Sequence, residues 1–98
     1  MATVYISGKI SGIDIEEAKK LFENAEEEVK KLGGVPINPM KISPYDPNWT
    51  WEDYMENDLG ALLRCEGIYM LNNWGGSRGA RIEYVVAKEM GIHVIFQK

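Results

Sequence analysis

Residues 3–8 read TVYISG, a short run of β-branched and aromatic residues that ends at a glycine. Such a run predicts a strand that leads into a turn. A helical pattern comes next, because Asp14 is a suitable N-cap and apolar residues then recur at helical spacing over residues 18–32. Gly33–Gly34 follows at once and ends the helix. This part of the chain therefore predicts a strand, a turn and an amphipathic helix.

Strands and helices continue to alternate as far as residue 96. Pro36 lies inside the second strand, and because proline has no N–H to donate, that strand is predicted at a sheet edge. Thr50 is a good N-cap with Asp53 three residues later, which predicts a helix start. The predicted segments are a strand at 35–38, a proline-rich loop at 39–48, a helix from Thr50 to about Cys65, a strand at 67–71, a glycine- and asparagine-rich loop at 72–79, a helix that ends at Met90, and a strand at 92–96.

This order of elements is typical of an α/β protein with parallel strands and right-handed crossovers. We expect a three-layer, flavodoxin-like (Rossmann-like) parallel sheet in the order 2-1-3-4, with helices on both faces and residues 1–98 in one domain. In such a sheet ligands bind beyond the carboxyl ends of the strands, where the winding reverses. That arrangement brings the loop Gly8–Gly12 beside the loop Asn72–Gly79.

Composition narrows the classes of function. Hydrophobic residues make up 45% of the chain and charged residues 27%, which is typical of a globular protein. The net charge of −4 argues against nucleic acid as a partner. No long apolar run or leader-like segment is visible, so we expect a cytoplasmic protein without a membrane partner. A single cysteine and a single histidine exclude the common zinc patterns, and no dinucleotide or P-loop motif occurs, so we expect neither a metal nor a cofactor.

Two acidic residues fall on helix faces that are otherwise apolar. Glu83 shares a helical stripe with Ala80 and Ala87, and Asp58 shares one with Leu62. An ionised carboxylate is costly to bury unless it is bonded, so Glu83 could instead turn to solvent, and Asp58 could bond to backbone or to a tyrosine hydroxyl. Two such residues on neighbouring helices indicate a site. A carboxylate pair suits cleavage of a glycosidic bond, in which one group attacks the anomeric carbon and a protonated acid assists the leaving group.

Three segments carry a resemblance to a known family: VYISG at 4–8, YMENDL at 54–59 and SRGARIE at 77–83. Together they resemble the nucleoside 2-deoxyribosyltransferase superfamily, which includes 2′-deoxynucleoside 5′-monophosphate N-glycosidases, and in particular its small phage and bacterial members. The resemblance covers nearly the whole chain in order. One departure is Glu66, where the family often has aspartate, and we interpret Glu66 as structural.

The resemblance implies three catalytic residues. Glu83 matches the nucleophile that forms a covalent deoxyribosyl intermediate at the anomeric carbon. Tyr5 matches the strand-one tyrosine that orients that carboxylate. Asp58 matches the aspartate that contacts the nucleobase and supplies a proton to it.

Ser77 matches the position that distinguishes substrates within the family. The nucleoside transferases have an acid there, which accepts the sugar 5′-hydroxyl, and the monophosphate hydrolases have a serine. A hydroxyl beside glycines and a helix N-terminus forms an anion site, whereas an acid would repel phosphate. Plain N-capping is the alternative role of Ser77. The resemblance also implies Gly8 and Gly79, as positions where the backbone approaches the ligand closely. The expected substrate-binding residues are Gly8, Lys9, Trp74, Gly75, Gly76, Ser77 and Gly79. We expect Arg78, Arg81 or Lys9 to add charge-assisted bonds, and Trp74 either to stack on the base or to pack its loop.

The function predicted from the sequence is cleavage of the N-glycosidic bond of 2′-deoxynucleoside 5′-monophosphates, by hydrolysis or by transfer to another base. A homodimer or higher homo-oligomer is expected, because the chain is short for enclosing a nucleotide. Two alternatives stay open. One is a non-catalytic nucleotide-binding or interaction module on the same fold, and the other is a related glycosidase for ribonucleotides or a nicotinamide nucleotide.

Overall fold

The computed structural model describes residues 2–98. Within them the chain forms four strands and four α-helices, with one 3-10 turn before the last helix. In chain order these elements are β1 (Thr3–Ser7), α1 (Ile15–Lys31), β2 (Val35–Ile37), α2 (Pro39–Ile42), α3 (Trp51–Leu63), β3 (Gly67–Met70), the 3-10 turn (Trp74–Gly76), α4 (Arg78–Glu89) and β4 (His93–Phe96).

All strand pairs in the sheet are parallel, and the strand order is β2-β1-β3-β4. The predicted order and the edge position of the proline-containing strand are both confirmed. Tyr5 on β1 lies opposite Ile37 of β2 on one side and Ile68 of β3 on the other. The first strand is therefore held on both sides, and it lies at the point where the winding of the sheet reverses.

The helices cover both faces of the sheet and complete the predicted three layers. Side chains alternate along a strand, so Val4 and Ile6 pack on α1 while Tyr5 points to the opposite face. The first core consists of Val4, Ile6, Phe22, Ala25, Val29, Tyr69 and Leu71. The second consists of Tyr5, Leu62, Cys65, Ile68, Met70, Ala80 and Ala87, beneath α3 and α4.

Helix starts follow the capping residues visible in the sequence. The Asp14 carboxylate accepts a hydrogen bond from Glu17 N at 3.1 Å. Thr50 and Asp53 form a reciprocal capping box, in which each side chain accepts from the other residue's backbone N–H, at 3.1 and 2.8 Å. Local chemistry therefore determines where the long helices that carry the site begin.

The predicted loop at 39–48 is wrong in its first four residues, which form the one-turn helix α2. Asn38 caps this helix by accepting from Met40 N at 2.9 Å, and Pro39 occupies its first turn. Proline suits that position because its fixed φ is already helical and its missing N–H would have no partner there. The proline that was interpreted as a loop residue therefore starts a helix.

Gly8 follows β1 where the backbone passes very close to Leu71. A Cβ atom at Gly8 would lie 2.6 Å from Leu71 Cδ1 and 2.9 Å from Leu71 Cβ. Both residues are buried, so neither can move aside without disturbing the core. This glycine is needed for close packing at the carboxyl end of the central strand.

We expect Gly8→Ala to lower the free energy of unfolding by about 1–3 kcal/mol, because the added methyl overpacks a full interior. Urea denaturation measures this. Gly75→Ala is the matched control, since a Cβ there meets nothing within 4 Å, and it should change stability by less than about 0.5 kcal/mol. Equal effects of the two substitutions would contradict the packing argument.

Candidate active site

A cleft of about 580 Å³ opens at the carboxyl end of β1, between the sheet and the N-terminal parts of α1 and α3. The two glycine-marked loops meet beside it as expected, because Lys9 N donates to Asn73 Oδ1 at 2.9 Å. Six of the ten predicted site residues line the cleft: Tyr5, Gly8, Asp58, Ser77, Gly79 and Glu83.

Glu83 lies at the base of this cleft and is only 5% exposed. Tyr5 OH donates to its Oε2 at 2.8 Å, and Ser7 Oγ donates to its Oε1 at 2.7 Å. The alternative in which Glu83 turns out to solvent is therefore excluded. Each oxygen of the carboxylate accepts a hydrogen bond from the central strand, and the bonds to the two oxygens fix its orientation.

The protonation of Glu83 is set by opposing influences. Burial raises its pKa to about 7, the bonds from Ser7 and Tyr5 act to lower it, and the negative charge of Asp58 acts to raise it. Burial, and then the charges of Glu83 and Asp58, raise the pKa of Tyr5 well above its ordinary value. Tyr5 therefore keeps its proton and acts as a donor to the carboxylate at neutral pH.

Ser7 is a site residue that the sequence analysis missed. It is 1% exposed, and its hydroxyl is committed to Glu83. One feature of the sequence does indicate Ser7. Residues two apart on a strand share a face, and Ser7 follows Tyr5 by two positions. A buried polar side chain at the carboxyl end of a central strand needs a partner, and here that partner is the predicted nucleophile.

Asp58 is 8% exposed and lies in the same cleft. Its Oδ1 accepts from Ser43 Oγ at 2.6 Å, and Ser43 Oγ in turn accepts from Asn57 Nδ2 at 2.6 Å. The partner of Asp58 is therefore a serine rather than backbone or a tyrosine. Burial raises the pKa of Asp58 to about 6, and the bond from Ser43 acts to lower it.

Ser77 caps α4 and also lines the cleft. Its Oγ accepts from Ala80 N at 3.1 Å, so the capping role is present. Gly79 is the second residue of α4 and packs against Met55, because a Cβ atom at Gly79 would lie 3.1 Å from Met55 Sδ. The first turn of α4 thus lines the cleft through Ser77, Gly79 and Ala80, and a helix N-terminus is favourable for an anion.

Four predicted substrate-binding residues do not line the cleft: Lys9, Trp74, Gly75 and Gly76. The Trp74 ring packs on Tyr84 and Phe96, with centroids 4.8 and 6.1 Å away. The structure therefore brings Trp74 into an aromatic cluster rather than into the cleft, in line with its packing alternative. Gly75 and Gly76 are exposed in the 3-10 turn, and a Cβ at Gly76 would lie 3.7 Å from Lys9 Nζ.

Several residues that line the cleft are not among the site residues predicted from the sequence. Trp51 lines the mouth, with the Arg78 guanidinium 4.4 Å from its ring centroid, a cation–π contact between α3 and α4. Tyr45 is 80% exposed and lies at the same mouth. Lys19 of α1 also lines the cleft, and its ammonium lies 3.5 Å from Glu16 Oε1.

Across residues 2–98 no group of three or more histidine, cysteine, aspartate or glutamate side chains is placed to hold a metal ion. None of the helices in that range is long and apolar enough to cross a membrane.

The fold and the cleft define a small parallel α/β protein with a buried carboxylate pair at the carboxyl edge of its sheet. The family model described as "Domain of unknown function (DUF4406)" matches residues 2–96, and the chain belongs to this family. No curated protein gives a significant sequence match. Among solved structures, the fold is similar to that of a 2-deoxyribosyltransferase from the psychrotolerant bacterium Bacillus psychrosaccharolyticus. The TM-score is 0.72 at 19% identity, over 97% of this chain and 71% of that one.

We expect Glu83→Gln to lose less stability than the unsubstituted protein as the pH rises through 7. The folded-state pKa of Glu83, about 7, lies above its ordinary value of 4.5. The stability that this group contributes is therefore complete below pH 4.5 and is lost as the pH rises through 7. A neutral amide does not titrate, so this loss is absent from the variant. Between pH 4 and pH 8 the free energy of unfolding of the variant should therefore rise by roughly 3 kcal/mol relative to that of the unsubstituted protein. Urea denaturation at several pH values checks this, and parallel pH dependences would contradict it.

Proposed function

We propose that this chain cleaves the N-glycosidic bond of 2′-deoxynucleoside 5′-monophosphates and releases the free base. The observation that carries the proposal is the Glu83 carboxylate, buried at the base of a cleft and held by Tyr5 and Ser7, with the second carboxyl of Asp58 in the same cleft. Two carboxyl groups beside one bond are the usual apparatus of glycosidic cleavage.

In the first step the Glu83 carboxylate attacks C1′ of the deoxyribose. A bond forms between a carboxylate oxygen and C1′ while the C1′–N bond breaks, and the electron pair of that bond leaves with the base. Protonated Asp58 gives its proton to the departing base, so the base does not leave as an anion. Tyr5 and Ser7 keep the attacking group oriented through their hydrogen bonds.

In the second step an acceptor removes the sugar from Glu83. Water attacks C1′ and loses a proton to the Asp58 carboxylate, while the C1′–O bond to Glu83 breaks and restores its carboxylate. If a second base replaces water, the outcome is transfer rather than hydrolysis. Two displacements at one carbon retain its configuration.

A phosphate on the 5′ position would find a suitable environment at the start of α4. The helix N-terminus carries a partial positive charge, Ser77 offers a hydroxyl, and Gly79 adds no side chain to obstruct close approach. Lys19 lines the same cleft and is a further positive group there, with its ammonium 3.5 Å from Glu16 Oε1. These features support a nucleotide over an unphosphorylated nucleoside.

The similarity of fold adds support at a coarser level. The solved structure with a similar fold is a 2-deoxyribosyltransferase, and that protein serves as a biocatalyst for nucleoside synthesis. Deoxyribosyl transfer passes through the same bond cleavage as the reaction proposed here. The homodimer predicted from the sequence stays a prediction.

The first test is release of free base from deoxynucleoside 5′-monophosphates, followed by chromatography. Glu83→Ala should lower the rate at least about a thousand-fold, because it removes the nucleophile. Glu89→Gln removes a glutamate from the exposed face of the same helix and should leave the rate unchanged. Base release at the normal rate from the Glu83 variant would refute the mechanism. Stabilisation by nucleotides without any base release would instead support a binding module.

The second test concerns phosphate. Ser77→Asp keeps an N-cap residue but adds a negative charge where the phosphate is proposed to lie. We expect kcat/KM to fall about 10- to 100-fold for a deoxynucleoside 5′-monophosphate but not for the matching deoxynucleoside. Ser77→Asn is the control, since asparagine caps equally well without charge. If the aspartate variant treats both substrates as the asparagine variant does, phosphate does not bind at this helix.

A further inference from the structure

The two oxygens of the Asp58 carboxyl are in different environments. Oδ1 accepts from Ser43 Oγ at 2.6 Å, whereas Oδ2 accepts no hydrogen bond from residues 2–98. In that range every fully buried side-chain nitrogen or oxygen has a hydrogen-bond partner. Since Asp58 lines the cleft, Oδ2 is the oxygen that remains accessible there. One oxygen is thus bound to the protein and the other is free for a ligand.

Asn57 determines the direction of the Ser43 hydroxyl. The Asn57 Nδ2 group donates to Ser43 Oγ at 2.6 Å and also reaches the backbone oxygen of Ile42 at 3.4 Å. A carbonyl oxygen accepts hydrogen bonds and cannot donate them, so the contact with Ile42 O identifies this end of the Asn57 amide as the NH2 group. Ser43 Oγ must then accept from Asn57, and its single proton points to Asp58 Oδ1.

We propose that Asn57 and Ser43 are positioning residues that commit Oδ1 of Asp58 as an acceptor and leave Oδ2 to carry the proton that passes to the departing base. This inference rests on the proposed function and assigns a residue pair to its acid step. As long as Ser43 donates to Oδ1, its hydroxyl proton lies between the two oxygens, and a second proton on Oδ1 would meet it there. The proton therefore resides on Oδ2, facing the cleft, where it can reach a ring nitrogen or carbonyl oxygen of a base.

The other titratable groups around this cleft do not take the place of Ser43. They are Tyr5 on β1, Lys19 on α1, Tyr45 in the loop between α2 and α3, Tyr54 on α3 and Glu83 on α4. Among residues 2–98 only Ser43 donates a hydrogen bond to the Asp58 carboxyl. Burial raises the pKa of Asp58 to about 6 and the Ser43 bond is the influence that lowers it. Loss of that bond should therefore raise the pKa of Asp58 further.

The first experiment follows the Asp58 carboxyl carbon by NMR through a pH titration of the isotope-labelled protein. In Ser43→Ala the titration midpoint should move upward by about one pH unit, because a donor to the carboxylate is lost. Asn57→Ala should move it in the same direction by less. The double variant should match Ser43→Ala alone, because Asn57 acts only through Ser43. Ser11→Ala, which removes another cleft hydroxyl without a bond to Asp58, should leave the midpoint in place.

The second experiment measures base release from a deoxynucleoside 5′-monophosphate against pH. The unsubstituted protein should show a bell-shaped profile with limbs near 6 and 7, because one proton is shared between Asp58 and Glu83. Ser43→Ala should shift the profile to higher pH, because the pKa of Asp58 rises. It should also lower kcat about tenfold or more with little change in KM, because the acid is no longer held in its orientation and this loss outweighs the gain in protonated Asp58. Ser43→Thr retains the hydroxyl and should restore both the profile and the rate.

The two experiments separate this inference from the proposed function. An unchanged Asp58 midpoint in Ser43→Ala overturns the positioning role, and so does an additive double variant. A loss of rate without any shift of the pH profile overturns it as well, because a purely structural defect would produce that pattern. Absence of base release from the unsubstituted protein at every pH overturns the proposed function and the acid step, while the expected NMR shifts would still support the hydrogen-bonded arrangement.

Discussion

A carboxylate taken out of water inside a protein has to be met by hydrogen-bond donors, and the site of this chain is organised around one such group. Glu83 lies on the inner face of α4, and both of its donors, Tyr5 and Ser7, lie on β1. The contact joins two segments that are far apart in the chain. It keeps the carboxyl in place while burial raises its pKa to about 7, so the group is poised between its two protonation states near neutral pH.

The parallel sheet makes this contact possible. The first strand is central, and its alternating side chains supply an apolar core on the α1 side and two hydroxyl donors on the α4 side. The winding of the sheet reverses beside this strand, so its carboxyl end opens into the cleft rather than under a crossover. Fold and site therefore depend on the same five residues of β1.

Most of the fold could be predicted from the sequence, because helix caps, helical stripes and strand-ending glycines are local signals. The inward position of Glu83 was also accessible, since helical phase places it on an apolar stripe. Ser43 was not, because it comes directly after α2, a single turn that depends on Asn38 and Pro39 rather than on periodicity. Trp74 was placed correctly in its loop, but nothing local indicates that its ring turns toward Tyr84 and away from the cleft.

The carboxyl groups of Glu83 and Asp58 receive their hydrogen bonds from two different kinds of segment, a central strand and a short connecting segment. The supports of Glu83 belong to a strand bonded on both sides, whereas the support of Asp58 comes from the short stretch between α2 and α3. That stretch contributes almost nothing to either hydrophobic core. On the proposed function, a change in this stretch alters the support of the acid that assists the departing base, while the nucleophile and its two donors on β1 stay in place. Evolutionary change in the acid step is thus decoupled from the cost of disturbing the sheet.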